Sequence, residues 1–227
     1  MISVVVVAGG KGVRLGGPVR KQYIAIKGQP VLGWTLKAVV ESGVADEVIA
    51  VVPTEDVRFC RKTVLEPLEL EFLVKLVPGG DERQQSVYEG LRACCPQTRI
   101  AAIHDGVRPF VNRKILKACI EGAEQWGGAI AAVPAVDTLK VVGPDGRVRS
   151  TFDRRLVRLA QTPQAFRFPL ILEAHEKAAA DGFMATDDSQ LVERIGGEVK
   201  VVEGSSRNIK ITRPADLVLA EIILESR

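Results

Sequence analysis

Strand-like and helix-like patterns alternate along this chain from end to end. An apolar strand, Ile2–Ala8, is followed by helical spacing at Leu32, Leu36, Val39 and Val40, with Pro30 suited to helix position N1 and Gly43 to a stop. Glu47–Val52 reads as a buried strand, and Pro53-Thr-Glu-Asp56 opens the next helix. A short strand near Val74–Val77 leads to Gly79-Gly80-Asp81 and a helix from about Glu82 to Cys94. Ile100–His104 is another strand, ending at Asp105, before a helix over Arg113–Trp126 and a strand over Gly128–Pro134. The rhythm then changes. Thr138–Val142 and Arg147–Phe152 flank Gly143-Pro-Asp-Gly146, which predicts a β-hairpin inserted as an arm at about 136–155. The series resumes with a strand over Leu159–Thr162, helices over Pro169–Ala180 and Asp187–Ile195, a strand over Val199–Val202 and a last helix from Pro214. Such alternation predicts an α/β fold of Rossmann-like type, a mostly parallel sheet with helices on both faces, in one domain spanning 1–227.

In sheets of this kind ligands gather where strands end at their carboxyl termini. Ala8-Gly9, Gly79–Asp81, His104-Asp105 and Thr162 all fall at predicted strand ends. The first of these opens into Gly9-Gly10-Lys11-Gly12-Val13-Arg14-Leu15-Gly16-Gly17, with Lys21-Gln22-Tyr23 just beyond. Glycines let backbone N–H groups approach an anion closely, and the basic side chains neutralise it. A dinucleotide fingerprint would place glycine where Leu15 stands, and a P-loop would follow its Gly-Lys pair with Ser or Thr where Gly12 stands. What remains, with Arg14 and Lys21, suits a triphosphate and points to nucleotidyl transfer.

Composition narrows the partners. Of 227 residues, 46% are hydrophobic and 26% charged, the balance of a globular protein with a sizeable core. The net charge of +3 is too mild, and too evenly spread, to predict nucleic-acid binding. The longest apolar runs, such as Ala129–Val133, are too short to cross a bilayer. With a strand beginning at the amino terminus there is no room for a signal peptide, so a cytoplasmic location is expected. Cys60, Cys94, Cys95 and Cys119 form no C-x-x-C pair and are expected to be structural thiols. His104 and His175 are the only histidines, which excludes a multi-histidine metal site.

Phosphate chemistry asks a protein to position its reactants and stabilise charge on oxygen, tasks suited to the fork of Arg14 and the mobile charge of Lys21. Asp105, followed by Gly106-Val107-Arg108-Pro109, can hold Mg²⁺, accept a substrate hydroxyl, cap a turn or pair with Arg108. His104 reads as a packed histidine. Gly80, Asp81 and Ser86 are suited to the edge of a nucleobase, and Asp81 also to a helix N-cap. Lys210 precedes a helix amino terminus marked by Pro214, which favours an anion.

Taken in order, the segments AGGKGVRLG, RKQY, GGDERQQSV, HDGVRPF, VDTLK, FDRR, QTPQAF, ATDDSQ and NIKITRPADL resemble the 2-C-methyl-D-erythritol 4-phosphate cytidylyltransferase family, the IspD enzymes of non-mevalonate isoprenoid synthesis. The resemblance implies that a polyol phosphate attacks the α-phosphorus of CTP in line and that Mg²⁺-bound pyrophosphate leaves. It makes Arg14 and Lys21 the transition-state stabilisers and Lys210 the group that positions the attacking phosphate. Ala8, Gly9, Gly10 and Gly12 would surround the nucleotide, with Gly80, Asp81 and Ser86 at the cytosine and Gly106 near the ribose. Asp105, Arg108, Thr138, Arg154, Thr162 and Thr186 would lie around the polyol phosphate. The family dimerises through a hairpin arm, so Thr138 and Arg154 would enter the partner's site. Two departures stand out. The family's His-Asp-Ala-Ala/Ser-Arg-Pro is here His104-Asp-Gly-Val-Arg-Pro109, and its Thr-Asp-Glu is Thr186-Asp187-Asp188. Some relatives carry a second catalytic domain, and a chain ending after the last helix would be monofunctional.

The nearest rival is a ribitol-5-phosphate cytidylyltransferase of the same fold and chemistry, against which the Thr162 and Arg154 matches weigh. A non-catalytic nucleotide sensor would not require Arg14, Lys21 and Lys210 together. A nicotinamide-dependent oxidoreductase is opposed by Leu15.

Overall fold

The computed structural model describes residues 1–10 and 19–226. Strand β1 (Ile2–Val7) leads to a small antiparallel ladder, β2 (Ala25–Ile26) with β3 (Gln29–Pro30), and helix α1 (Val31–Glu41). Strand β4 (Glu47–Val52) precedes a 3-10 turn at Thr54–Asp56, helix α2 (Val57–Cys60) and a π turn at Arg61–Leu65. Then come β5 (Val74–Pro78), α3 (Arg83–Arg92), β6 (Ile100–Asp105), α4 (Arg113–Trp126) and β7 (Gly128–Pro134). The hairpin is β8 (Lys140–Val142) with β9 (Val148–Thr151). The chain continues through β10 (Arg158–Arg167), α5 (Phe168–Ala180), α6 (Asp188–Arg194), β11 (Val199–Glu203) and α7 (Pro214–Glu225).

Seven strands form the central sheet in the order β11-β7-β10-β6-β1-β4-β5. All neighbours are parallel except β10, which runs antiparallel to both β6 and β7. The continuous apolar run of β1 follows from its central place. Val4 and Val6 face Leu32, Leu36 and Val39 of α1 and Leu116 of α4 in one cluster. Val5 and Val7 face Val87 and Leu91 of α3 and Ile171 of α5 in the other. Each such side chain, fully buried, contributes roughly 1.5–3 kcal/mol. A smaller cluster joins Ile26, Val31 and Phe110 to Ile211, Ala220 and Ile223, and this docks α7 beside the sheet.

Local chemistry sets the ends of the helices. Asn112 Oδ1 accepts from Ile115 N at 3.0 Å and starts α4, and Asp187 Oδ1 accepts from Gln190 N at 3.0 Å and starts α6. Gly43 takes a left-handed φ of 62° just past α1, as its stop position requires. Three expectations shift. Pro30 is the residue before α1 and not its first turn. The cap of α3 is Glu82, not Asp81, because Gln85 Oε1 closes a capping box on Glu82 N at 3.2 Å. Thr162 lies inside the long strand β10, not at a strand end, and meets the carboxyl end of β6 because β10 runs the other way.

The hairpin forms its own two-stranded sheet beyond the central one, and Val142, Val148, Phe152 and Leu156 are exposed on it and its flank. All four cysteines are free thiols, and burial pushes Cys60 and Cys119 up to about 12. Among the described residues no helix is long and apolar enough to cross a membrane.

The seam between α3 and the sheet is tight enough to test. A Cβ on Gly90 would lie 2.4 Å from Val5 Cγ1 and 2.8 Å from Val51 Cγ2. We expect Gly90→Ala to destabilise the protein by about 1–2 kcal/mol in urea unfolding, despite a helix-propensity gain of roughly 1 kcal/mol. Unchanged or raised stability would contradict this packing.

Candidate active site

Three loops leave the carboxyl edge of the sheet side by side. Backbone bonds from Ala8 N to Val51 O, Gly79 N to Val52 O and Gly106 N to Val7 O, each 2.8 Å, continue the ladders past the strand ends. Gln22 is buried and its amide donates to Ala8 O at 2.8 Å and Gly10 O at 3.4 Å, bracing the start of the first loop. Ser86 of α3 is fully buried, and its hydroxyl donates to Gly80 O at 3.2 Å. A Cβ on Gly9 would stand 2.5 Å from Ser86 Oγ, and one on Gly79 2.6 Å from it. These positions need glycine for close approach, which brings the loops after β1 and β5 against one serine. Together they floor a cavity of about 250 Å³ lined by Gly9, Arg20, Pro53, Thr54, Glu55, Gly79, Gly80 and Asp81. Arg20 pairs with Glu55 and, at 3.0 Å, with Asp56, tying the turn before Lys21 to the turn after β4. Lys21 opens the 3-10 turn Lys21–Tyr23 and is half-buried. Among the described residues, nothing lies within 4 Å of a Cβ built on Gly10. Gly12 and Arg14 lie outside the described residues.

Next to this glycine shelf sits a buried carboxylate ringed by cations. A Cβ on Gly106 would meet Ala8 Cβ at 2.9 Å, so the loops after β6 and β1 touch. Asp105, which ends β6, is 5% exposed. Its Oδ1 accepts from Arg83 Nε at 3.2 Å, and its Oδ2 from Lys210 Nζ at 2.9 Å and Arg108 Nε at 3.4 Å. Burial alone would raise its pKa, but the charges of Arg83, Lys210 and Arg108 outweigh burial and hold it well below the usual carboxylate range.

Backbone stitching brings these groups together. Arg108 Nη1 donates to Asn208 O at 2.8 Å, Asn208 Nδ2 to Thr162 O at 2.8 Å, and Ile211 N to Val107 O at 2.9 Å. Lys210 is thereby fixed between two tied residues. Thr162 Oγ1 accepts from Asp105 N at 3.0 Å, so its own proton goes to His104 Nδ1 at 3.0 Å. His104 Nε2 lies 3.0 Å from the carbonyl of Arg108, which can only accept. His104 is therefore the neutral Nε2–H tautomer. Burial also pushes its pKa down, to about 4. It packs, as its sequence position suggested, and orients Thr162 and the Arg108 turn.

The structure therefore gathers Asp105, Arg108, Thr162 and Lys210 in one cluster, and Gly9, Gly80 and Ser86 in another beside it. Thr186 is exposed ahead of α6, with its N–H and hydroxyl donating to Gln190 Oε1 at 2.8 and 3.2 Å. Thr138 and Arg154 stand exposed on the arm, where Arg154 donates to Val136 O. Sequence reasoning passed over Arg83 and Asn208, which bond Asp105 and Arg108 here, and named Asp188 only as a departure, without a role. Arg83 had one signal: a cation in the first turn of a helix opposes the helix dipole and calls for carboxylate partners.

A Mg²⁺ bound directly to Asp105 does not fit this arrangement, because both carboxylate oxygens accept from cations that would repel it. Among the described residues no group of three His, Cys, Asp or Glu side chains could hold a metal.

A glycine shelf at one strand end, abutting a carboxylate ringed by cations at the next, on a mostly parallel sheet, has the form of an α/β site for a phosphorylated ligand. The family model described as "IspD: 2-C-methyl-D-erythritol 4-phosphate cytidylyltransferase" matches residues 2–226. The chain belongs to this family. It is 48% identical to the 2-C-methyl-D-erythritol 4-phosphate cytidylyltransferase of Syntrophus aciditrophicus over 99% of this chain and 96% of that one. With the protein of the same name from Pelotomaculum thermopropionicum it shares 44% identity over 100% and 95% of the two chains. A solved 4-diphosphocytidyl-2C-methyl-D-erythritol synthase from Anaerococcus prevotii superposes with a TM-score of 0.87 at 35% identity, covering 99% of this chain and 98% of that one.

His104 gives a stability prediction. Its pKa in the fold, about 4, lies below its ordinary 6.5, so the unfolded chain binds the extra proton between these values. The contribution is complete above pH 6.5 and is lost as pH falls toward 4, by roughly 3 kcal/mol in all. We expect unfolding free energy to drop across this window and His104→Gln to flatten the drop. Equal slopes for the two proteins in urea titrations at stepped pH would refute the assignment.

Proposed function

We propose that the two neighbouring clusters divide one reaction between them: transfer of the cytidylyl group of CTP to 2-C-methyl-D-erythritol 4-phosphate, giving 4-diphosphocytidyl-2-C-methyl-D-erythritol and pyrophosphate, in isoprenoid biosynthesis. The single observation that carries the division is the 2.9 Å contact of Lys210 Nζ with Asp105 Oδ2 at the sheet edge that also bears the glycine shelf. On this reading the cavity beside Ser86, Gly80 and Asp81 takes the cytosine. Backbone N–H groups at Gly9 and Gly10, with Lys21, take the phosphates, and Gly12 and Arg14 complete that loop. The substrate phosphate draws Lys210 partly from Asp105, so a cation held ready by a carboxylate is passed to the attacking oxygen. Arg108 stays with Asp105 and keeps the carboxylate in place to accept a polyol hydroxyl, with Thr162 behind it. Positive charge placed before the reaction costs no reorganisation as negative charge spreads over the phosphorus oxygens.

Several further assignments belong to the same reading. Mg²⁺ brought in with the nucleotide would supply charge neutralisation at its phosphates, since Asp105 is already engaged by three cations. The arm exposes Val142, Val148, Phe152 and Leu156, the apolar surface a second copy would cover. A homodimer would then carry Thr138 and Arg154 into the partner's site, and Thr186 would close the polyol side. The protein works in the cytoplasm. The names of the relatives favour methylerythritol phosphate over ribitol 5-phosphate, and catalysis over a silent sensor or a nicotinamide-dependent oxidoreductase.

Pyrophosphate release with CTP, Mg²⁺ and each polyol phosphate tests the substrate, and faster turnover with ribitol 5-phosphate would reverse the choice. Lys210→Ala should lower turnover by at least about 100-fold while the folded protein persists. Wild-type rates in that variant would remove Lys210 from the mechanism. Arg154→Ala mixed with Lys210→Ala should regain activity neither has alone, because one site of the mixed dimer would then be intact. No recovery in exchanged dimers would count against the arm's role.

A further inference from the structure

Arg83 lies between carboxylates from two distant elements. Its Nε donates to Asp105 Oδ1 at 3.2 Å and its Nη2 to Asp188 Oδ2 at 2.8 Å. Asp188 is 1% exposed, and its other oxygen accepts from His175 Nε2 at 3.2 Å. The ring of His175 stacks on Tyr88 of α3, with centroids 6.2 Å apart and planes at 8°. The N–H groups of Asp188 and Ser189 both donate to Gln164 Oε1 at 3.1 Å. Asp188 is therefore held by its backbone, by His175 and by Arg83 at once. Burial would raise its pKa, but the Arg83 charge and the His175 hydrogen bond outweigh burial and keep it ionised.

This network runs outward to Lys210. Among the described residues, Arg83 is the cation on Asp105 Oδ1, whereas Lys210 and Arg108 share Oδ2. The Arg83 fork is planar, so a fixed Asp188 fixes the fork, and the fork sets the plane of the Asp105 carboxylate. That plane decides where Oδ2 points and so where the Lys210 ammonium waits. We propose that Asp188, acting through Arg83, is a positioning residue for the polyol phosphate: it aims the Asp105 carboxylate and thereby the reach of Lys210. The inference rests on the reading that Asp105 and Lys210 face that substrate.

Steady-state kinetics varying each substrate separate positioning from mere support of the fold. Asp188→Asn should raise KM for 2-C-methyl-D-erythritol 4-phosphate by roughly tenfold or more, with KM for CTP within about twofold. Asp188→Glu, which restores the carboxylate, should return it to within about threefold of wild type. Equal losses toward both substrates, or equal behaviour of the Asn and Glu variants, would overturn the proposal. Should Asp188→Asn fail to fold, Arg83→Lys cuts the link from its more exposed end, since an ammonium cannot bridge both carboxylates in plane. The same split is expected there, and unchanged kinetics would overturn the proposal too. Lys210→Ala serves as the control on the underlying reading. If it is inactive while Asp188→Asn and Arg83→Lys are normal, only the positioning role fails. If Lys210→Ala is fully active, the reading of the site fails first.

Discussion

Everything at the sheet edge is arranged around one buried carboxylate. Removing Asp105 from water carries a cost of several kcal/mol, which a single ion pair recovers only with good geometry. Here the compensation comes from three separate parts of the chain: Arg83 of α3, Arg108 of the turn after β6, and Lys210 of the segment before α7. Each cation draws its element toward the same point, so the carboxylate organises tertiary structure as well as chemistry. With Asp188 included, three cations face two carboxylates, and the cluster keeps an excess of positive charge. A phosphate arriving there supplies what the protein has left out.

Beside it, the glycine shelf is shaped by space rather than by charge. Ser86 Oγ occupies the volume that side chains on Gly9 and Gly79 would need. The loops after β1 and β5 can therefore close over one hydroxyl, and the cavity above them exists because Gly9, Gly79 and Ser86 are small. The two halves of the site meet through Gly106 and Ala8. Substitutions at that seam would move both halves together.

The sequence made legible whatever depends on local pattern. Runs such as Glu47–Val52 and Gly128–Pro134 coincide with their strands, because two-sided burial demands an unbroken apolar run. Gly9-Gly10 and Lys210 carried marks of the same local kind, since glycines after a strand and a lysine before a helix start are read from their immediate neighbours. Arg83 and Asp188 did not, since they meet across 105 residues and neither carries a local mark of the other. The direction of β10 was equally hidden. Its residues read as a strand whichever way it runs, and only that direction places Thr162 against the end of β6. Asp81 failed as a cap for a smaller reason, a capping box one residue further on.

The reversal of β10 has another consequence. Because β7 and β10 are adjacent and antiparallel, paired at Pro134 with Arg158, the arm is an elongated connection between neighbouring strands. Such a connection can change length, sequence or outline without shifting the register of any strand beneath it. The outline of the arm is thus set independently of the sheet's register, except at positions such as Thr138 and Arg154 that the proposed reaction would hold fixed.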